Sequence, residues 1–142
     1  MQAAASIQPQ SAMGLFDTAP HDYLHFGRGE QFDAKKVNTL LALNKQDISR
    51  IADVAPSSVR FDANIPHNVR ERLEEIANTI NMVASIFDGD AERTVTWFKA
   101  RNPMLGDVSP RDMIRLGRYE RLRKFILGAS TTRRQNLHGS IA

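Results

Sequence analysis

Apolar residues recur along this chain at helical spacing. Over 67–87, Val69, Leu73, Ile76, Ile80, Val83 and Phe87 follow one another at steps of four, three, four, three and four, with Ala77 and Ala84 beside them. That is the stripe of one long helix. Arg70, Glu71, Arg72, Glu74 and Glu75 fall on its other faces, and Asp88-Gly89-Asp90 ends it, with Gly89 suited to a left-handed terminator. The seam fits a dimer helix or the central core helix of a domain. The width added by Ala77 and Ala84 favours the core helix.

Shorter helices flank it. Asp33 caps a helix over about 34–42, whose face carries Val37, Leu40 and Leu41. Asn44, with Asp47 three residues on, is a capping-box pattern for a helix bearing Ile48, Ile51 and Ala52 and ending near Val54. Pro56 opens a third short helix, Ser57 to Phe61, with Val59 inward. Three short helices joined by tight turns predict a helix-turn-helix unit over 21–66. Tyr23, Leu24, Phe26 and Phe32 precede it, either as an ordered lead-in packed on the domain or as a sticky flexible arm.

After the long helix come segments at 90–101, 109–116 and 118–127. The stretch Trp97 to Gly117 is the most densely punctuated. Pro103 stops one helix near Asn102, Gly106 permits a turn, and Ser109-Pro110 with Asp112 starts the next helix. Met104 and Leu105 are expected between the two helices. Gly117 breaks the chain, and Gly128 is expected to close the last helix. No alternating runs and no internal repeats occur. The prediction is an all-α protein of about seven helices: a helix-turn-helix bundle, a long helix, and a small C-terminal helical unit over 67–128. A disordered arm over 1–20 and a tail over 129–142 flank it.

Composition adds little until charge is split by position. Apolar and charged fractions of 42% and 25% are those of a globular protein without a membrane span, and zero cysteines exclude thiolate metal sites and disulfides. Met1 to Ser11 lacks the basic and apolar regions of a signal peptide, so a cytoplasmic location is expected. Residues 1–88 hold 8 Lys/Arg against 11 Asp/Glu, a balance of −3; residues 89–142 hold 11 against 5, a balance of +6. The basic half is therefore not the half with the helix-turn-helix pattern. In that pattern Ser57, Ser58 and Arg60 would face a DNA groove, with Lys45 and Gln46 near the backbone. A solvated helical bundle is the equally open alternative, since phosphate contacts supply most non-specific affinity and this half is acidic.

Arg111, Arg115, Arg118, Arg121, Arg123, Lys124, Arg133 and Arg134 crowd 24 residues, with only Asp112 and Glu120 against them. Arg111, Arg115 and Arg118 share one helical face if the helix runs through Gly117. Such a cluster points to an acidic partner or a phosphate-bearing pocket. Histidines 21, 25, 67 and 138 have no metal-ligand spacing with carboxylates, and no catalytic constellation or Gly-rich phosphate loop is present. No cofactor and no enzymatic activity are expected.

Residues 61–126 resemble the toxin-binding domain of Xre/MbcA/ParS-type antitoxins. The resemblance rests on Trp97-Phe98, Asn102-Pro103-x-Leu105-Gly106, Ser109-Pro110-Arg111-Asp112-Met113-Ile114, and Gly117. Residues 41–61, LALNKQDISRIADVAPSSVRF, are similar to the Xre-like helix-turn-helix of the same antitoxins. The resemblance implies a type II antitoxin that inhibits a RES-type, NAD-degrading toxin by occluding its active site. It further implies a homodimer within a larger toxin–antitoxin complex and repression of its own operon through operator DNA. Trp97, Asn102, Pro103, Leu105 and Gly106 would shape the fold. Arg118, Arg121, Lys124, Arg133, Arg134, Leu137, Ile141 and Ala142 would meet the toxin. The alternative is a stand-alone helix-turn-helix transcriptional regulator whose C-terminal half only oligomerises it.

Overall fold

The computed structural model describes the backbone of residues 21–136 and the side chains of residues 21–129. The expected arm over 1–20 and Leu137, Ile141 and Ala142 lie outside the described residues, as do the side chains of Arg133 and Arg134. The fold is all-α. Its helices are α1 (Ala34–Leu40), α2 (Lys45–Ala52), α3 (His67–Ile86), α4 (Ala91–Lys99), α5 (Pro110–Arg115) and α6 (Tyr119–Asn136). An isolated bridge between Asn102 and Val108 is the one β-type pairing among the described residues.

The centre of the molecule is α3. Val69, Leu73, Ile76, Ile80, Val83 and Phe87, the six predicted seam residues, are all buried within the single chain. This is the core-helix form of the seam. The helices α1, α2, α4 and α6 pack on it, while α5 bridges α2, α4 and α6. One continuous apolar cluster results, from Leu24 to Ile126.

The caps follow the sequence closely. Asp33 accepts from the Lys36 amide at α1. Asn44 and Asp47 exchange side-chain-to-amide bonds of 2.8 and 3.0 Å at α2, a complete capping box. Asp90 accepts from the Arg93 amide at α4, and Ser109 from the Asp112 amide at α5. At the end of α3 the amides of Asp88 and Gly89 return to the carbonyls of Ser85 and Ala84. Asp88 already adopts the left-handed conformation, and Gly89 follows at φ +83°. A Cβ on Gly89 would lie 3.0 Å from the Tyr23 ring, a tight contact, so both φ and packing favour glycine there.

Three expectations are corrected. The third helix, Ser57 to Phe61, is absent; Pro56–Ser58 makes a single 3₁₀ turn and Val59 still buries its side chain. The segment is too short to propagate a helix. Asp62 also offers it better local bonds, accepting from Arg60 and from the Asn64 amide. The last helix does not stop at Gly128 but continues to Asn136. A lone exposed glycine costs a helix only about 1 kcal/mol relative to Ala. Residues 129–136 contain no proline, and Leu122 and Ile126 anchor the helix in the core. Finally, Met104 is 72% exposed rather than held between helices.

The lead-in is ordered. Leu24 and Phe26 are buried, and a polar node fixes them. The buried Asn81 on α3 accepts from the Leu24 amide at 3.1 Å and donates to Asp22 at 3.0 Å. Asp22 also accepts from the amides of Phe26 and Gly27. Burial works against the Asp22 charge, but these hydrogen bonds outweigh it and hold its carboxyl below the usual carboxylate value.

Two outcomes follow for this node. Asn81→Ala strands the buried Leu24 amide and is expected to lower unfolding stability by about 1–3 kcal/mol in urea titrations. Because the Asp22 carboxyl is depressed in the folded state, its stabilisation is complete above the unfolded value near 3.8 and is lost as pH falls through the lower folded value. Asp22→Asn should therefore flatten the acid limb of a stability-versus-pH curve while leaving the alkaline limb unchanged.

Candidate partner-binding surface

The segment after α4 forms a rigid corner. Its Trp97 and Phe98 are buried, with ring centroids 5.1 Å apart at 87°, an edge-to-face pair. Past α4 the buried Asn102 side chain accepts from the Met104 amide at 2.9 Å. The Asn102 carbonyl takes the amides of Leu105 and Asp107, and its own amide reaches Val108. Pro103–Leu105 is a 3₁₀ turn closed by Gly106 at φ +77°. Leu105 is buried beneath it. All five predicted scaffold residues, Trp97, Asn102, Pro103, Leu105 and Gly106, thus meet in this one turn and the helix before it.

The cations divide into two sets. Gly117, at φ +79°, separates α5 from α6, so Arg111, Arg115 and Arg118 do not share a helical face. Arg111 donates to the carbonyls of Leu41 and, at 2.6 Å, of Ala42, satisfying the end of α1. Arg115 donates to Asp47 at 3.2 Å and to Asp112 at 2.9 Å. Asp47 is 2% exposed and is also the capping-box acid of α2, so this ion pair joins the corner to the N-terminal helices. The carbonyl of Arg115 in turn accepts from Arg50. Arg123 is paired with Glu120 at 2.7 Å on α6.

Arg118, Arg121 and Lys124 form the second set. They are exposed and make no ion pair with any described residue. They line the start of α6, whose Leu122 and Ile126 are buried. Leu116, 56% exposed, lies just ahead of them. The local arrangement is a cationic row beside an exposed apolar residue on a helix fixed at its base. That base includes Tyr119, whose hydroxyl lies 2.7 Å from that of Thr79, both reaching the Glu75 carbonyl. Burial raises the Tyr119 phenol, so it stays a neutral hydrogen-bonding group.

The residues proposed for DNA are less well assembled. Lys45 and Gln46 are exposed at the start of α2. Ser57 and Ser58 are exposed on the 3₁₀ turn, and Arg60 lies beyond it. The Arg60 guanidinium binds both oxygens of Asp62, at 3.0 and 2.6 Å, and holds that carboxyl below its usual value. No recognition helix brings these five residues to a common face.

Sequence reasoning missed the structural use of Arg111 and Arg115. The signal available was the acid at 47, three residues inside a cap yet outnumbered by nearby bases. Among the described residues no group of three or more His, Cys, Asp or Glu is placed to hold a metal ion, and no helix is long and apolar enough to cross a membrane. Compared with known proteins, the chain matches no family model, no curated protein and no solved structure.

The two sets of cations are separable by mutation. Arg111→Ala leaves two helix-end carbonyls without a donor and should cost about 1–3 kcal/mol of stability. Arg118→Ala, Arg121→Ala and Lys124→Ala should each stay within about 0.5 kcal/mol of the parent. Thermal unfolding of the four variants checks the sorting.

Proposed function

We propose that this chain is a non-enzymatic antitoxin of the Xre/MbcA/ParS type, acting in the cytoplasm and inhibiting a RES-type, NAD-degrading toxin. The observation that carries the reading is the row Arg118, Arg121 and Lys124, which makes no ion pair with any described residue, at the start of a helix whose base is locked into the core. A positioned row of cations is electrostatically complementary to an acidic surface on such a partner. The resemblance of Trp97 to Gly117 to the antitoxin motif supplies the partner class. The order found in that corner supports a scaffolding role for it.

The continuation of α6 to Asn136 refines how the tail acts. Arg133 and Arg134 belong to the helix that starts at Tyr119, and Leu137, Ile141 and Ala142, outside the described residues, remain part of the toxin-binding set in this proposal. A homodimer inside the toxin–antitoxin complex is part of the same reading. Operon repression is its weaker component, because the 3₁₀ turn at Pro56–Ser58 gives Ser57, Ser58 and Arg60 no helix to place in a groove. The same observation disfavours the stand-alone transcriptional regulator.

The test is co-expression with a RES-type toxin encoded beside this chain, followed by cellular NAD. A triple variant, Arg118→Glu, Arg121→Glu and Lys124→Glu, is expected to fold with parental stability but to leave NAD depleted. A chain ending at Asn136 is expected to lose protection in part. Full protection by both variants would sink the proposal, and so would an adjacent toxin-class protein that the parent fails to bind.

A further inference from the structure

A small socket of about 160 Å³ opens where α2, α3, α5 and α6 come together. Its apolar lining is the partly buried Ile51 of α2, with the buried Ile114 of α5 and Tyr119 of α6. Arg50 and Arg72 line it too, with side chains 50% and 45% exposed, so they stand on its solvent side. Gly117 also belongs to the lining, one residue ahead of Arg118, which places the socket at the foot of the cationic row. A Cβ on Gly117 would meet nothing within 4 Å, so the approach past it is open.

The charges around the socket differ in how far they are used. Glu120 lines it, but Arg123 holds its carboxylate with bonds of 2.7 and 3.1 Å. Arg50 turns one nitrogen to the Arg115 carbonyl and Asp47, and Arg72 gives one nitrogen to Glu75 at 2.6 Å. A guanidinium carries five N–H donors in a fixed fork, so both arginines keep donors for a further acceptor. We propose that the socket and the row together form one interface for an acidic protein segment that carries a single aliphatic side chain. The aliphatic side chain enters the socket, a neighbouring carboxylate meets Arg50 and Arg72 at its edge, and further carboxylates lie along Arg118, Arg121 and Lys124. The inference rests on reading the start of α6 as a partner-binding surface; it adds the partner's chemistry and brings in Arg50, Ile51 and Arg72 from α2 and α3. The size suits one side chain, since a cavity of roughly 150 Å³ admits a benzene-sized group. The arrangement is also that of a protein interface, in which an anchor filling an apolar pocket supplies affinity and charges around it supply orientation.

The probe is a peptide, acetyl-Glu-Glu-Leu-Glu-Glu-amide, titrated into the isotope-labelled full chain, with a second peptide in which Ser replaces Leu. The Leu peptide is expected to move the amide signals of Ile51, Gly117 and Arg118 saturably. The Ser peptide is expected to move Arg118 and leave Ile51 and Gly117 nearly still. Arg72→Glu lies outside the row, on an exposed ion pair, and should keep the amide spectrum of the fold while weakening the Leu peptide about fivefold. Unmoved Ile51 and Gly117 amides, equal shifts with the Ser peptide, or undiminished affinity in Arg72→Glu overturns the proposal. Shifts at Ile51 and Gly117 on dilution of the free chain, abolished by Leu116→Asp, overturn it as well, since a second copy's Leu116 then fills the socket. Socket binding by a chain that fails to bind an adjacent RES-type toxin supports the proposal and removes the antitoxin reading alone.

Discussion

The burial of α3 is the constraint on which the rest of the fold depends. A twenty-residue helix with Val69, Leu73, Ile76, Ile80, Val83 and Ala84 almost fully removed from solvent cannot be covered by any single partner. Its stripe is too wide for one facing helix. The chain solves this by wrapping α1, α2, α4 and α6 around it and closing the remaining side with Leu24 and Phe26. Apolar area removed from water is the main stabilising term, at about 25 cal/mol per Å². Polar groups on α3 that turn inward must then be satisfied from these same coverings. Asn81 is met by the lead-in and Thr79 by Tyr119 of α6.

A second constraint acts at the joints. Short helices leave backbone carbonyls and amides without partners at both ends, and here side chains distant in sequence fill several of them. Arg111 closes the end of α1 from 70 residues away, and Arg115 neutralises an acid that already caps α2. Guanidinium is suited to both tasks because its planar fork can serve two acceptors at once. The consequence is electrostatic: Arg111 and Arg115 are committed to internal acceptors, while Arg118, Arg121 and Lys124 at the start of α6 make no ion pair with any described residue.

Much of this was legible from local chemistry. Asp33, Asn44 with Asp47, and Ser109 are caps whose partners lie within three residues, so the sequence contains the whole interaction. The α3 seam was legible because its period is unambiguous over twenty residues. What escaped was non-local or closely balanced. The segment after Pro56 reads as a helix because proline suits a first helical position, yet Asp62 offers the Asn64 amide and Arg60 an alternative. Gly128 reads as a stop, yet nothing left-handed is required of it and the helix is held from below. Arg111 and Arg115 read as a surface face, because spacing alone cannot reveal carbonyls and a carboxylate about 70 residues away. The candidate site was legible in its residues, Arg118, Arg121 and Lys124, but its separation from the neighbouring cations needed the fold.

The geometry also bears on how tightly such a surface can bind. Long cationic side chains on a mobile segment lose both backbone and rotamer freedom when a partner orders them, and that loss offsets much of the attraction. Here the helix beneath Arg121 and Lys124 is already fixed by Leu122, Ile126 and the Tyr119 hydroxyl. Only side-chain freedom remains to be lost. A preorganised row of like charges also raises the field that a partner meets at a distance, which acts on the rate of encounter and weakens as salt screens it. The division of labour then has a physical logic. Arg111 and Arg115 tie the corner to the N-terminal helices, and that attachment holds the three exposed cations at the base of α6 in fixed positions.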